Sequence, residues 1–162
     1  MEDNNTLPLY TEVLDNLWLG GTADGDTIFE VKRSENMAIT DKIFDTVISL
    51  YAWSNPASWG VKELRYGFYD GDMKDIDFEI IEHLVDVAYD EWKNKGKRLL
   101  IRCQMGYNRS SLIFCQVLMR DGYTAKEAIA LMREKRSSWV LCNAEFENYL
   151  LRLDEPEETF AV

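Results

Sequence analysis

Cys103 and Arg109 are separated by five residues, and Ser110 follows directly, in the stretch Arg102-Cys103-Gln104-Met105-Gly106-Tyr107-Asn108-Arg109-Ser110-Ser111. A thiol and a guanidinium at that spacing can serve one phosphoryl group. The sulfur would be the nucleophile, and the guanidinium is a planar fork able to hold two oxygens at once. The apolar run Leu99-Leu100-Ile101 leads into the stretch and predicts a short buried strand. The run from Leu112 to Met119 leads out of it and predicts a buried helix ending at Arg120-Asp121-Gly122. Strand, tight loop and helix start in that order form an anion site. Backbone N–H groups of Gln104, Met105, Gly106, Tyr107, Asn108 and Arg109 converge there, and the helix dipole favours negative charge. The same field favours the thiolate, which is the nucleophilic form of cysteine. Gly106 allows the backbone to turn without a Cβ in the way.

Other elements must carry this loop. Glu12 to Gly21 holds two short apolar pieces around Asp15-Asn16 and predicts strand, turn, strand. Phe44 to Tyr51 is β-branched and predicts a buried strand. Ala52 to Gly60, with Pro56 and the tryptophans Trp53 and Trp59, reads as a loop at the rim. Val61 to Tyr69 alternates imperfectly and predicts a further strand, ending in Asp70-Gly71-Asp72. Asp77 is placed to cap a helix over Phe78 to Asn94, with Phe78, Ile81, Val85, Ala88 and Trp92 on one stripe and Lys95-Gly96 as the stop. Thr124 to Glu127 has the form of a capping box for a helix through Arg136. Asn143 caps a last helix with Phe146, Tyr149, Leu150 and Leu153 inward. Thr22 to Asp41 has too weak a period to assign.

Alternating strands and helices predict an α/β fold: one three-layer domain with a central, mainly parallel but mixed sheet of about five strands flanked by helices. The expected division is a flexible N-terminus over residues 1–10, a catalytic domain over 11–154 and an acidic tail over 155–162. In such sheets ligands sit at the carboxyl ends of strands. Asp70 and Cys103 both follow predicted strand ends, so both can face one crevice.

The 162 residues carry a formal charge of −11, which speaks against nucleic acid or an anionic membrane as partner. The charge is unevenly spread. Between Glu91 and Arg136 there are 11 Lys and Arg against 4 Asp and Glu, and the rest of the chain holds 7 against 25. The positive excess lies around the loop. No apolar run approaches the ~20 residues that span a bilayer, and the acidic start Met1-Glu2-Asp3 is unlike a secretory leader. Three cysteines without paired spacing fit a reducing compartment, so a cytoplasmic monomer is expected. Cys115 and Cys142 read as small buried hydrophobes. His83 sits mid-helix, and no cluster suggests a metal or cofactor.

The cysteine, the glycine, the arginine and the serine, with a strand before and a helix after, resemble the signature of the cysteine-dependent protein tyrosine phosphatases. The wider pattern resembles their dual-specificity branch: Leu14 to Gly20, Phe44 to Ile48, Asp70-Gly71-Asp72, Met132 to Arg136, and Asn143 through Leu150. The resemblance implies that Cys103 attacks phosphorus, that Arg109 and the loop amides hold the equatorial oxygens, and that Ser110 assists the departing thiolate. Asp70 would be the general acid, with Asp72 as the alternative. Asn108 would tie the loop to a neighbour. A phosphorylated protein would be the substrate. An RNA 5′-triphosphatase and a catalytically silent phosphate-binding module stand as alternatives. The chain departs from the family at Arg102, where a histidine is usual. A fixed positive charge there is expected to favour the thiolate without the histidine's hydrogen bonding.

Overall fold

The structure, a computed structural model, describes residues 7–22, 44–57 and 60–155. The stretch left unassigned by periodicity lies outside the described residues from Ala23 on, as do Trp59 and both chain ends. Five strands form one sheet: β1 (Tyr10–Leu14), β2 (Leu17–Gly20), β3 (Thr46–Ser49), β4 (Lys62–Arg65) and β5 (Leu99–Arg102). Their order is β1-β2-β5-β3-β4. Only β1 and β2 are antiparallel; β2–β5, β5–β3 and β3–β4 run parallel. This is the mixed, mainly parallel sheet that the sequence predicts. The turn between β1 and β2 puts Asn16 at φ 65°, in the left-handed region that asparagine tolerates.

The alternation of the strands sorts their side chains. Leu17, Leu19, Ile48, Leu99 and Ile101 share one core with the helices α1 (Phe78–Tyr89), α2 (Arg109–Arg120), α3 (Ala125–Lys135) and α4 (Ala144–Leu153). Val47 and Leu100, together with Phe44 and Val61, make a second, smaller cluster that Tyr10 and Trp18 cover. β5 is the middle strand and is buried along its whole length. The residue after its last thus emerges at the centre of the molecule. Behind it α2 buries every residue from Ser110 to Cys115, each apolar one worth roughly 1.5–3 kcal/mol. The loop between β5 and α2 is therefore held from both ends.

The helices α1, α3 and α4 begin at the caps their sequence predicts, and α2 begins at Arg109, ahead of the apolar run. Asp77 accepts from the N–H groups of Glu79 and Ile80 at 3.0 and 3.4 Å. Thr124 and Glu127 form the reciprocal capping box. The Asn143 side chain accepts from Glu145 and Phe146. Two stripe residues depart from expectation. Phe78, in the first turn of α1, is partly exposed and stacks at 5.1 Å on Tyr149. Leu153, the last residue of α4, is 44% exposed, because the helix ends there. The helix of α1 widens into a π-helical turn over Asp90–Asn94 before Gly96, at φ +64°, stops it. Among the described residues no helix is long and apolar enough to cross a membrane.

Candidate active site

Cys103 leaves β5 with its N–H bonded to the Gly20 carbonyl of β2 at 3.1 Å, and it is 2% exposed. The loop that follows is polarised. Its carbonyls are all drawn outward: Gln104 accepts from the Thr22 N–H, Met105 and Gly106 from the Arg136 guanidinium, Tyr107 from the Leu141 N–H, and Asn108 from the Leu112 N–H. The backbone N–H groups of Gln104 through Arg109 find no acceptor among the described residues. Gly106 and Asn108 of this loop are buried, where polar groups are normally paired, so bound carbonyls opposite unpaired amides suit the loop to receive an anion. Gly106 is needed twice over. Its φ is +74°, and a Cβ there would stand 2.7 Å from the Gly20 backbone.

Arg109 opens α2. Its Nη1 and Nη2 make only long bonds, 3.3 Å to the Phe68 carbonyl and 3.4 Å to Gln104 Oε1, and its Nε is buried with no partner. The guanidinium lies over the Tyr51 ring at 5.1 Å, which fixes its plane and leaves its donors available. Ser110 Oγ stands 3.1 Å from Cys103 Sγ. Cys103 and Ser110 are thus in contact, and Arg109 reaches back to Gln104 of the same loop.

Asp70 is joined to the loop through asparagines. Its Oδ2 accepts from Asn108 Nδ2 and its Oδ1 from Asn143 Nδ2, each at 2.9 Å. Asn108 Oδ1 in turn accepts the Asn143 N–H at 2.9 Å. Asn108 is therefore a tie between the loop, Asp70 and the start of α4, as expected of it, and it does not use its side chain to cap α2. Asp72 instead accepts the Lys74 N–H at 3.0 Å, closing a local turn. It lines a cavity of about 420 Å³ with Phe68, Tyr69 and Asp75.

Two arginines correct the reading of local charge. Arg102 does not serve the sulfur. Its side chain, fully buried, donates from Nε to Ser49 Oγ at 2.8 Å and from Nη2 to the Asn55 carbonyl and to Glu63 Oε2. Alternation explains this: Arg102 and its register partner Ser49 lie on the sheet face that carries Leu100 and Val47, opposite the main helical core. Burial pulls the Arg102 guanidinium below its ordinary value, and Glu63 opposes that. The cation that holds the loop backbone is Arg136, just past α3. It is 6% exposed and donates to Gly106, Met105, Pro8 and Thr11. Burial lowers its pKa. The sequence marks Arg136 only as part of a helix-end motif; a basic residue some 30 positions from the loop carries no local signal that it holds Met105 and Gly106.

Cys115 is buried as expected, which pushes its thiol up to about 12. Cys142 is not: it is exposed beside Asn108, because it lies in the loop that leads into α4.

Glu63 shows how the Arg102 network responds to pH. Burial raises its pKa, but bonds from Ser49, Ala57 and Arg102 and the charge of Arg65 outweigh that and hold it below 4.5. A carboxyl lowered on folding contributes stability above its unfolded value, and that contribution is lost as pH falls through the folded value. Glu63→Gln should therefore lower the melting temperature at neutral pH, since Arg102 loses its counter-charge at a cost of roughly 3 kcal/mol. The difference from the parent should shrink below the ordinary glutamate range. Thermal melts across acid pH check this.

The family model for the dual specificity phosphatase catalytic domain matches residues 59–155. The 123R protein of Invertebrate iridescent virus 6, named as a tyrosine phosphatase, is 25% identical over 128 residues, covering 78% of this chain and 80% of that protein. Among solved structures, human DUSP28 superposes with a TM-score of 0.71 at 19% identity, over 91% of this chain and 93% of that one. Tk-PTP in its active form does so with a TM-score of 0.68 at 23% identity, over 91% and 97%. The family match extends over the strand, the polarised loop, the helix behind it and Asp70, and so the chain belongs to the dual-specificity phosphatase family of cysteine-dependent protein phosphatases.

Proposed function

We propose that the chain hydrolyses phosphotyrosine, and also phosphoserine and phosphothreonine, in proteins through a phosphocysteine intermediate. The observation that carries this reading is the polarity of the loop, with its carbonyls bound away and its six amides without an acceptor among the described residues, beside Arg109. A phosphoryl group seated there has its equatorial oxygens on the amides and the Arg109 fork. The thiolate of Cys103 forms the S–P bond as the ester P–O bond breaks, and the charge spreading over those oxygens meets fixed donors. Asp70 gives its proton to the leaving oxygen. Water then attacks phosphorus, the S–P bond breaks, and Asp70 takes the water's proton. Ser110 donates a hydrogen bond to the departing thiolate, consistent with its 3.1 Å contact. A binding module would need the arginine and amides but no partner for the sulfur, and this disfavours the silent alternative.

Asp70 is assigned as the acid over Asp72 because it alone is linked to a loop residue. Each of its oxygens accepts one amide N–H, which leaves a second lone pair on each for the proton it transfers. Asp70→Ala should slow substrates with poor leaving groups on the order of 100-fold and good aryl leaving groups far less. A flat leaving-group dependence, with that slowing in Asp72→Ala instead, moves the acid to Asp72.

The reading is tested by a substrate panel without added metal: an aryl phosphate, phosphotyrosine and phosphothreonine peptides, and triphosphate-ended RNA. Aryl phosphate and both peptides should be turned over. Faster phosphate release from the RNA than from the phosphotyrosine peptide would overturn it.

A further inference from the structure

Beside the phosphate loop runs a groove of about 370 Å³ that the catalytic steps do not use. Leu7 and Pro8 wall one side, Met105 and Tyr107 of the loop another, and Trp139, just past α3, a third. Met105 is 55% exposed and Trp139 58%, and with Leu7 and Pro8 they line one groove as a grouped apolar surface rather than as scattered exposed residues. Arg136 lies in the floor, but all three of its nitrogens are engaged by Pro8, Thr11, Met105 and Gly106. The groove therefore offers contact area and an adaptable thioether, with its one cation already bound. The cavity near Asp70 is the opposite in character, with Asp72 and Asp75 in its lining.

The groove is continuous with the phosphate loop, since Gln104, Met105 and Tyr107 belong to both. Met105 is two residues from Cys103. Because Met105 and Tyr107 stand both in the loop and in the groove, a residue next to the phosphorylated one can reach it. We infer that this groove receives a large apolar side chain flanking the phosphorylated residue of a substrate peptide. The inference rests on the phosphopeptide reading above and deepens it to a specificity determinant.

Binding and turnover separate the two claims. Phosphotyrosine peptides carrying Leu, Phe, Asp or Lys at each flanking position are titrated into Cys103→Ser, which binds without turning over. They are then assayed with the parent protein. At one flanking position Leu or Phe should bind about tenfold tighter than Asp, and kcat/KM should follow. Trp139→Ala, added to either protein, should level that preference. Hydrolysis of the small aryl phosphate by Trp139→Ala should stay at the parental rate, and its melting temperature shows that it folds. Leu7→Ser should act in the same direction. A flat flanking preference, or one that survives both substitutions, overturns the subsite. So does a complete lack of peptide binding, or tighter binding of triphosphate-ended RNA that depends on Trp139. A Trp139-dependent dimer seen in sedimentation would give the groove to a second copy and overturn it too. Tight, Leu-preferring binding with no turnover of any substrate would keep the subsite and sink the catalytic reading instead.

Discussion

Replacing Cys103 with serine is expected to lower hydrolysis of an aryl phosphate on the order of 10⁴-fold or more, the scale seen when a covalent nucleophile is removed. Phosphate affinity should stay within a few-fold of the parent. The two effects separate because different atoms serve them. The amides of Gln104 to Arg109 and the Arg109 fork hold the anion, and Cys103→Ser touches neither. Serine is close in size, and the buried site already places a hydroxyl, that of Ser110, at 3.1 Å. The loop's outward bonds run through Thr22, Arg136, Leu141 and Leu112, so the loop should keep its shape. Steady-state kinetics together with calorimetric titration of phosphate check both halves. Survival of activity would mean that the nucleophile is elsewhere.

Arg109→Lys is expected to lose on the order of 10³-fold in turnover although the charge is kept. A lysine ammonium is a point charge on a flexible stem. It cannot present two parallel N–H bonds to phosphoryl oxygens, and it lacks the planar guanidinium that stands over Tyr51 at 5.1 Å. The loss should fall mainly on kcat, because the transition state gathers more charge on the equatorial oxygens than the bound ester has. A variant with KM raised and kcat unchanged would show that Arg109 only binds.

The phosphate loop is legible in the amino-acid sequence because its residues are contiguous: strand, cysteine, glycine, arginine and helix start follow one another within one short stretch. Helix caps at Asp77, Thr124 and Asn143 are local too, which is why expectation and structure agree there. Features that depend on distant parts of the chain, or on which sheet face a side chain takes, leave no such local mark. Arg102 looks like a neighbour of the nucleophile, but one step along a strand reverses direction, and its charge meets Glu63 instead. Arg136 looks like a helix-end cation and holds two carbonyls of the phosphate loop. The tie between Asp70, Asn108 and Asn143 gathers three residues that no local pattern connects. Cys142 reads as buried on residue type alone, and its place in an exposed loop decides otherwise.

The central claim is that phosphate passes through Cys103. Its most direct test mixes the protein with an aryl phosphate, quenches in acid within the first turnover, and maps the modified peptide by mass spectrometry. A phosphate-sized mass increment is expected on the peptide carrying Cys103, absent in Cys103→Ser and decaying as phosphate is released. Phosphate carried on any other residue, or full turnover in Cys103→Ser, would contradict it.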